Sequence, residues 1–172
     1  MGRTVLKYLA ILFVMLGGLS ADYKAKEWAR DNLKDNSTII VVKNFIDLGY
    51  SENSGMIFGI MNGQMSKYSK TIVIVFRILI LIGLMAFIVV NRKKSFIFLL
   101  PFSLFWAGAI GNLIDPFVYG HVIDFIHIQA GTIINWPFYF NLADAYITIG
   151  MALLLISEAL KDLRKKKRPV AA

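Results

Sequence analysis

Four apolar blocks constrain this chain more than anything else in it. Residues 5–21, 72–90, 96–114 and 143–159 each carry at most two charged side chains. The second block, 19 residues long, would rise about 28 Å as a helix, close to the thickness of bilayer hydrocarbon. Pro101 inside the third block is compatible with a spanning helix whose neighbours satisfy the freed carbonyl. Asn141 is well placed to cap the fourth. The first block follows Arg3 and contains Lys7, as a cleavable signal would. Leu19-Ser20-Ala21 is followed by Asp22, however, and three more spans come after, so a retained anchor is expected. The predicted fold is an all-α membrane protein, one membrane domain over 1–172 with four transmembrane helices.

Composition agrees: 57% of residues are hydrophobic, above the usual soluble range of about 45–50%. The net charge of +8 could suggest nucleic acid, but the basic residues sit beside the ends of the apolar blocks, where they meet headgroups and set topology. No nucleic-acid partner is expected. There is no cysteine, which excludes disulfides and thiol chemistry, and with only His121 and His127 a histidine-rich zinc site is not expected.

Loop charge orients the spans. Arg3, Lys7, the 91–95 turn and the tail from Lys161 to Arg168 carry eleven Lys or Arg. On the other side, 23–71 has seven basic residues diluted by five acids, and 115–142 has none. Both termini are therefore expected to be cytoplasmic. Residues 38–42 are β-branched and 44–50 alternate, so a small extracytoplasmic sheet is expected over about 38–61. Trp28, Tyr50 and Tyr68 are expected as headgroup anchors, and the aromatic stretch 115–142 as an interfacial loop or helix.

This topology brings four carboxylates to one depth: Asp22, Asp115, Asp124 and Asp144, with Asn53, Asn112 and Asn141 near them. Ionisable groups at the edge of hydrocarbon are costly and mark functional sites. Two crowded carboxyls can share a proton and activate water. Other readings remain open for three of the acids. Asp144 can cap the fourth helix, Asp115 can be a solvated helix end, and Asp22 can pair with Lys26 at the surface. Asp124, between Ile123 and Phe125, has no capping role in view and is the strongest single candidate. Gly108 and Gly111 read as close helix contacts. The rival function is a small proton or ion transporter, which would string its acids along a path through the membrane.

The motifs resemble those of lipoprotein signal peptidase, the signal peptidase II family. Asp22-Tyr23-Lys24-Ala25-Lys26 is similar to its D-x-x-x-K, and Asn53-Ser54-Gly55 followed by Phe58 to its N-x-G-x-x-F. Gly111-Asn112-Leu113-Ile114-Asp115, then Gly120-His121-Val122-Ile123-Asp124-Phe125, resemble G-N-x-x-D and G-x-V-x-D-F. Phe140-Asn141-Leu142-Ala143-Asp144 matches F-N-x-A-D. The resemblance implies a metal-free, cofactor-free aspartic endopeptidase of the bacterial inner membrane with its site near the outer face. Its substrates would be diacylglyceryl-modified prolipoproteins, cut just before the lipidated cysteine. It implies Asp124 and Asp144 as the catalytic pair. Asn53, Gly55, Asn112, Asp115, Asn141 and Ala143 would line or shape the site, with Asp22 and Lys26 in support. It also implies inhibition by globomycin-type cyclic peptides and contact with membrane lipids, and a monomer is expected. One departure matters: where the family usually has arginine after the aspartate of G-N-x-x-D, this chain has Pro116, and Arg77 in the second span is a possible substitute.

Overall fold

The structure is a computed structural model; it describes residues 2–35, 37–53, 67–130 and 134–166. Gly55 and the rest of the 54–61 part of the expected sheet region lie outside the described residues. The elements run α1 (Gly2–Leu33), β1 (Ile39–Val42), β2 (Ile46–Asn53), α2 (Lys67–Val90), α3 (Phe96–Val118), β3 (Val122–Ala130), β4 (Ile134–Phe140) and α4 (Leu142–Lys166). All four helices are long and apolar enough to cross a membrane. Their exposed side chains, such as Leu9, Phe13, Ile72, Leu79, Ile97 and Leu155, are apolar, as a lipid-facing surface requires.

Helix α1 is longer than its apolar block. Its buried residues are Ile11, Met15, Asp22, Lys26, Ala29 and Leu33, and from Met15 onward they recur at spacings of seven, four, three and four. One helical face thus continues through the charged positions. At about 1.5 Å per residue the 32-residue helix is about 48 Å long and outreaches a bilayer core. Its last turns form a floor for the sheet: Ala29 and Leu33 pack with Ile123 and Phe125, and Leu48, Tyr50 and Leu142 close over them.

The sheet is antiparallel, in the order β1-β2-β3-β4. Its two later strands correct the expectation of an interfacial loop or helix between the third and fourth spans. Val122, Ile123, Phe125, Ile126 and Ile128 suit a pleated surface, and β2 offers them an edge. Asn53 pairs with Val122, Ser51 with Asp124 and Asp47 with His127. Asp47 is tied to His127 Nδ1 at 3.1 Å and to Gln129 Nε2 at 2.8 Å. Tyr50, expected as a headgroup anchor, also has protein partners. Its ring packs on the α1–sheet core and its hydroxyl meets His121 Nε2 at 3.2 Å, whereas Trp28 and Tyr68 are exposed.

Helices α1 and α3 end at the sheet, and α4 begins there. At the opposite end, Lys7 Nζ donates to the carbonyls of Arg92 and Lys94 at 2.6 and 3.1 Å, joining the start of α1 to the α2–α3 turn. Gly108 lets α3 touch α4, and Gly111 lets it close on α1. A Cβ on Gly108 would collide with the Ala143 carbonyl, and one on Gly111 would lie 2.6 Å from Asp22 Oδ2.

Candidate active site

At the sheet end the polar residues form one connected network. Lys26 is fully buried, and its Nζ lies 2.7 Å from Asp22 Oδ2 and 2.7 Å from Asp115 Oδ2. Both acids are within 2% of complete burial. So Asp115 is not a solvated helix end, and Asp22 is not a surface partner of Lys26. Each carboxylate also anchors a second segment. Asp22 Oδ1 accepts from the Ala143 amide at 2.9 Å, in the first turn of α4, and Asp115 accepts from the Ile123 amide in β3. The Ala143 amide is one of the free donors at a helix start, where an anion is favoured.

The lysine also sets the orientation of the amides. Its Nζ donates to Asn112 Oδ1 at 3.1 Å. An ammonium has no acceptor, so the oxygen of Asn112 must face it. Asn112 Nδ2 is thereby directed to Asp144 Oδ1, at 2.8 Å. Asn112 Oδ1 also accepts from Asn141 Nδ2 at 3.0 Å, and the same Asn141 nitrogen lies 2.7 Å from Asp124 Oδ1. Asn53 Nδ2, diagonal to Asp124 across the β2–β3 ladder, donates to Asp124 Oδ2 at 3.0 Å. A hydrogen-bonded chain of two asparagine amides therefore connects Asp124 to Asp144.

Asp144 has the capping role that its spacing suggests, and more. Its amide donates to Asn141 Oδ1 at 3.0 Å, while its Oδ2 accepts from the Asn141 amide at 3.2 Å, a reciprocal cap. Its other oxygen is the one held by Asn112. The cap fixes the backbone and leaves the carboxyl facing a cavity.

That cavity has a volume of about 480 Å³ and lies between α2, α3 and α4 under the sheet; ligand sites commonly span about 300–1,000 Å³. Val73, Phe76, Ile80, Phe105 and Ile147 make most of its wall apolar, while Asn53, Asn112, Asp124, Asp144 and Arg77 supply polar groups. Burial pushes the Asp124 carboxyl up from 3.8 to about 7. The Asn53 amide opposes this, the neighbouring Asp144 charge adds to it, and Lys26 and Asn141 oppose it. A carboxyl titrating near neutrality can both hold and release a proton at physiological pH.

The structure gathers every described site residue predicted from sequence. Asp124, Asp144, Asn53 and Asn112 line the cavity, and Asn141, Asp115, Ala143, Asp22 and Lys26 stand behind them. Sequence reasoning missed Tyr139 and Thr148, which also line it; a lone aromatic or threonine carries no distinguishing pattern. Among the described residues no group of three His, Asp or Glu side chains could hold a metal ion.

Residues 14–160 match the family model for signal peptidase (SPase) II. The chain belongs to the signal peptidase II family. It is similar to the lipoprotein signal peptidase of Clostridium acetobutylicum, with 34% identity over 90% of this chain and 96% of that one. The lipoprotein signal peptidase of Chlorobium phaeobacteroides is 37% identical over 78% and 81% of the two chains. Among solved structures, a bacterial membrane enzyme determined by the in meso method at 2.3 Å resolution superposes with a TM-score of 0.69. It is 26% identical, over 100% of this chain and 96% of that one. As a member of the signal peptidase II family with four membrane-spanning helices, the protein is a multi-pass bacterial membrane peptidase.

Proposed function

We propose that this signal peptidase II homologue removes signal peptides from diacylglyceryl-modified prolipoproteins, cutting before the lipidated cysteine with Asp124 and Asp144 as an aspartic dyad. The observation that carries this reading is the shared cavity: carboxylates from β3 and α4 face one apolar space and are joined through Asn141 and Asn112. One carboxylate takes a proton from water, and the resulting hydroxide attacks the scissile carbonyl. The other, protonated, donates to the carbonyl oxygen as it becomes tetrahedral. The intermediate collapses when the departing cysteine amine takes up a proton from the dyad. The products are a signal-peptide carboxylate and a free amino terminus.

The apolar walls suit the acyl chains of the substrate, each buried methylene contributing about 0.8 kcal/mol. Excess Lys and Arg at the opposite end supports cytoplasmic termini and a site near the outer face of the inner membrane. Asn53, Asn112 and Asn141 hold the dyad; Ala143 and Asp115 shape its surroundings, and Asp22 and Lys26 fix the helices behind it. Gly55 is assigned to substrate binding on its motif alone. The protein works as a monomer, since one chain supplies the whole network, and globomycin-type cyclic peptides compete for the cavity. The transporter reading is disfavoured by the opposite half of the bundle, where Ile11, Met15, Ile88 and Leu99 form an apolar plug.

The test is cleavage by purified protein of a lipidated prolipoprotein, with a non-lipidated control. Only the lipidated form should be cut, and Asp124→Asn and Asp144→Asn should each abolish cutting while remaining folded. Full activity in either variant sinks the dyad.

A further inference from the structure

Helix α3 contains Pro116 one residue after Asp115. Proline has no amide hydrogen, so the carbonyl four residues earlier loses its helical partner. For Pro116 that carbonyl is the one on Asn112. It belongs to the turn that carries the network, at a depth where an unpaired carbonyl is costly. The partner comes from another helix: Arg77 Nη1 of α2 lies 3.1 Å from Asn112 O. Arg77 starts ten residues into α2 and faces the cavity beside Asn112 and Asp144. Toward its other end α2 meets α3 through apolar side chains, Phe87 packing on Phe98 and Phe102 and Ile88 clustering with Leu99.

We propose that Arg77 is a positioning residue that replaces the backbone donor lost at Pro116: it holds the Asn112 carbonyl and so sets the turn from which Asn112 reaches Asp144 and Lys26. Pro116, the departure from the family motif, and Arg77 are thus one compensated pair. Arg77 also lies within electrostatic range of Asp144 and Asp115. The rival is that its charge, not its hydrogen bond, is what matters. The consequence for turnover rests on the proposed function; the hydrogen bond does not.

Pro116→Ala separates the two, because it returns an amide donor to Asn112 O and adds no charge. Wild type, Arg77→Leu, Pro116→Ala and the double variant are compared as full-length protein in detergent. Cleavage of a lipidated prolipoprotein is measured well below each thermal midpoint and expressed per folded enzyme. Arg77→Leu should lower kcat at least about tenfold with KM within about threefold. Pro116→Ala alone should stay within about twofold of wild type, and the double variant should return to within about threefold. A double variant as slow as Arg77→Leu, or an unimpaired Arg77→Leu, overturns the proposal. If Arg77→Leu does not fold, a double variant that folds supports the proposal, and one that does not overturns it. If wild type cleaves nothing, the functional reading has failed separately. Thermal midpoints of the same four proteins then decide the hydrogen bond, by recovery or no recovery in the double variant.

Discussion

Helices α1 and α3 meet at both ends of the bundle, but the two ends of their interface are built from opposite materials. Away from the sheet, Ile11 and Met15 of α1 pack with Leu99 of α3 and Ile88 of α2, and Phe98, Phe102 and Trp106 fill in around them. Ser103, buried there, donates to the Leu99 carbonyl of its own helix at 3.0 Å. At the sheet, α1 contributes Asp22 and Lys26, and α3 contributes Asn112 and Asp115. Hydrocarbon contacts are non-directional, and in a membrane lipid competes for them, so the apolar half needs only shape. A buried charge needs a particular partner at a particular distance, so the sheet end tolerates little change. Precision is concentrated where the cavity's carboxyls are held.

The contrast can be broken most directly at Lys26. Lys26→Met leaves Asp22 and Asp115 buried without their cation. We expect a loss of about 3–5 kcal/mol, seen as a large fall in thermal midpoint and in folded yield. A midpoint near wild type would mean that the cation is not what holds the two acids in place. Gly111→Ala comes next. Its Cβ would lie 2.6 Å from Asp22 Oδ2, and overpacking of this kind costs about 1–3 kcal/mol. Cleavage should fall with stability, because Asp22 also holds the start of α4.

Asn53 sharpens the comparison without unfolding anything. Its amide favours the charged form of Asp124, so Asn53→Leu should move the Asp124 titration above about 7. If Asp124 carries the dyad's proton, the alkaline limb of kcat/KM then shifts to higher pH. A shift to lower pH would contradict that role. The smallest effect belongs to the other end. Leu99→Met should cost less than about 1.5 kcal/mol and leave turnover per folded enzyme unchanged. Should Leu99→Met slow cleavage severalfold, the two ends are coupled more tightly than their contacts indicate.

The spans were legible because hydropathy is a property of each residue, but their ends were not. Asp22 and Lys26 stop a hydropathy reading at 21, while the helix continues to Leu33. The spacing of Met15, Asp22, Lys26, Ala29 and Leu33 carried that information for a reader who ignored charge. Aromatic density at 115–142 suggested the membrane interface, whereas its alternation encoded β3 and β4. Asp144 is the hardest case. Its spacing from Asn141 fits a cap and it is a cap, yet nothing local says that its other oxygen meets Asn112.

By itself, the sequence determined four spans and the end at which the acids gather. Each follows from composition and periodicity within some twenty residues, where burial in lipid outweighs other terms. Only the tertiary structure decided which acids share a cavity and which are neutralised behind it. Asp22 and Asp115 are taken by Lys26, and Asp124 and Asp144 are left facing the apolar space. The bond from Lys26 to Asn112 spans 86 residues of chain. A carboxylate's role follows from the partners that folding brings to it.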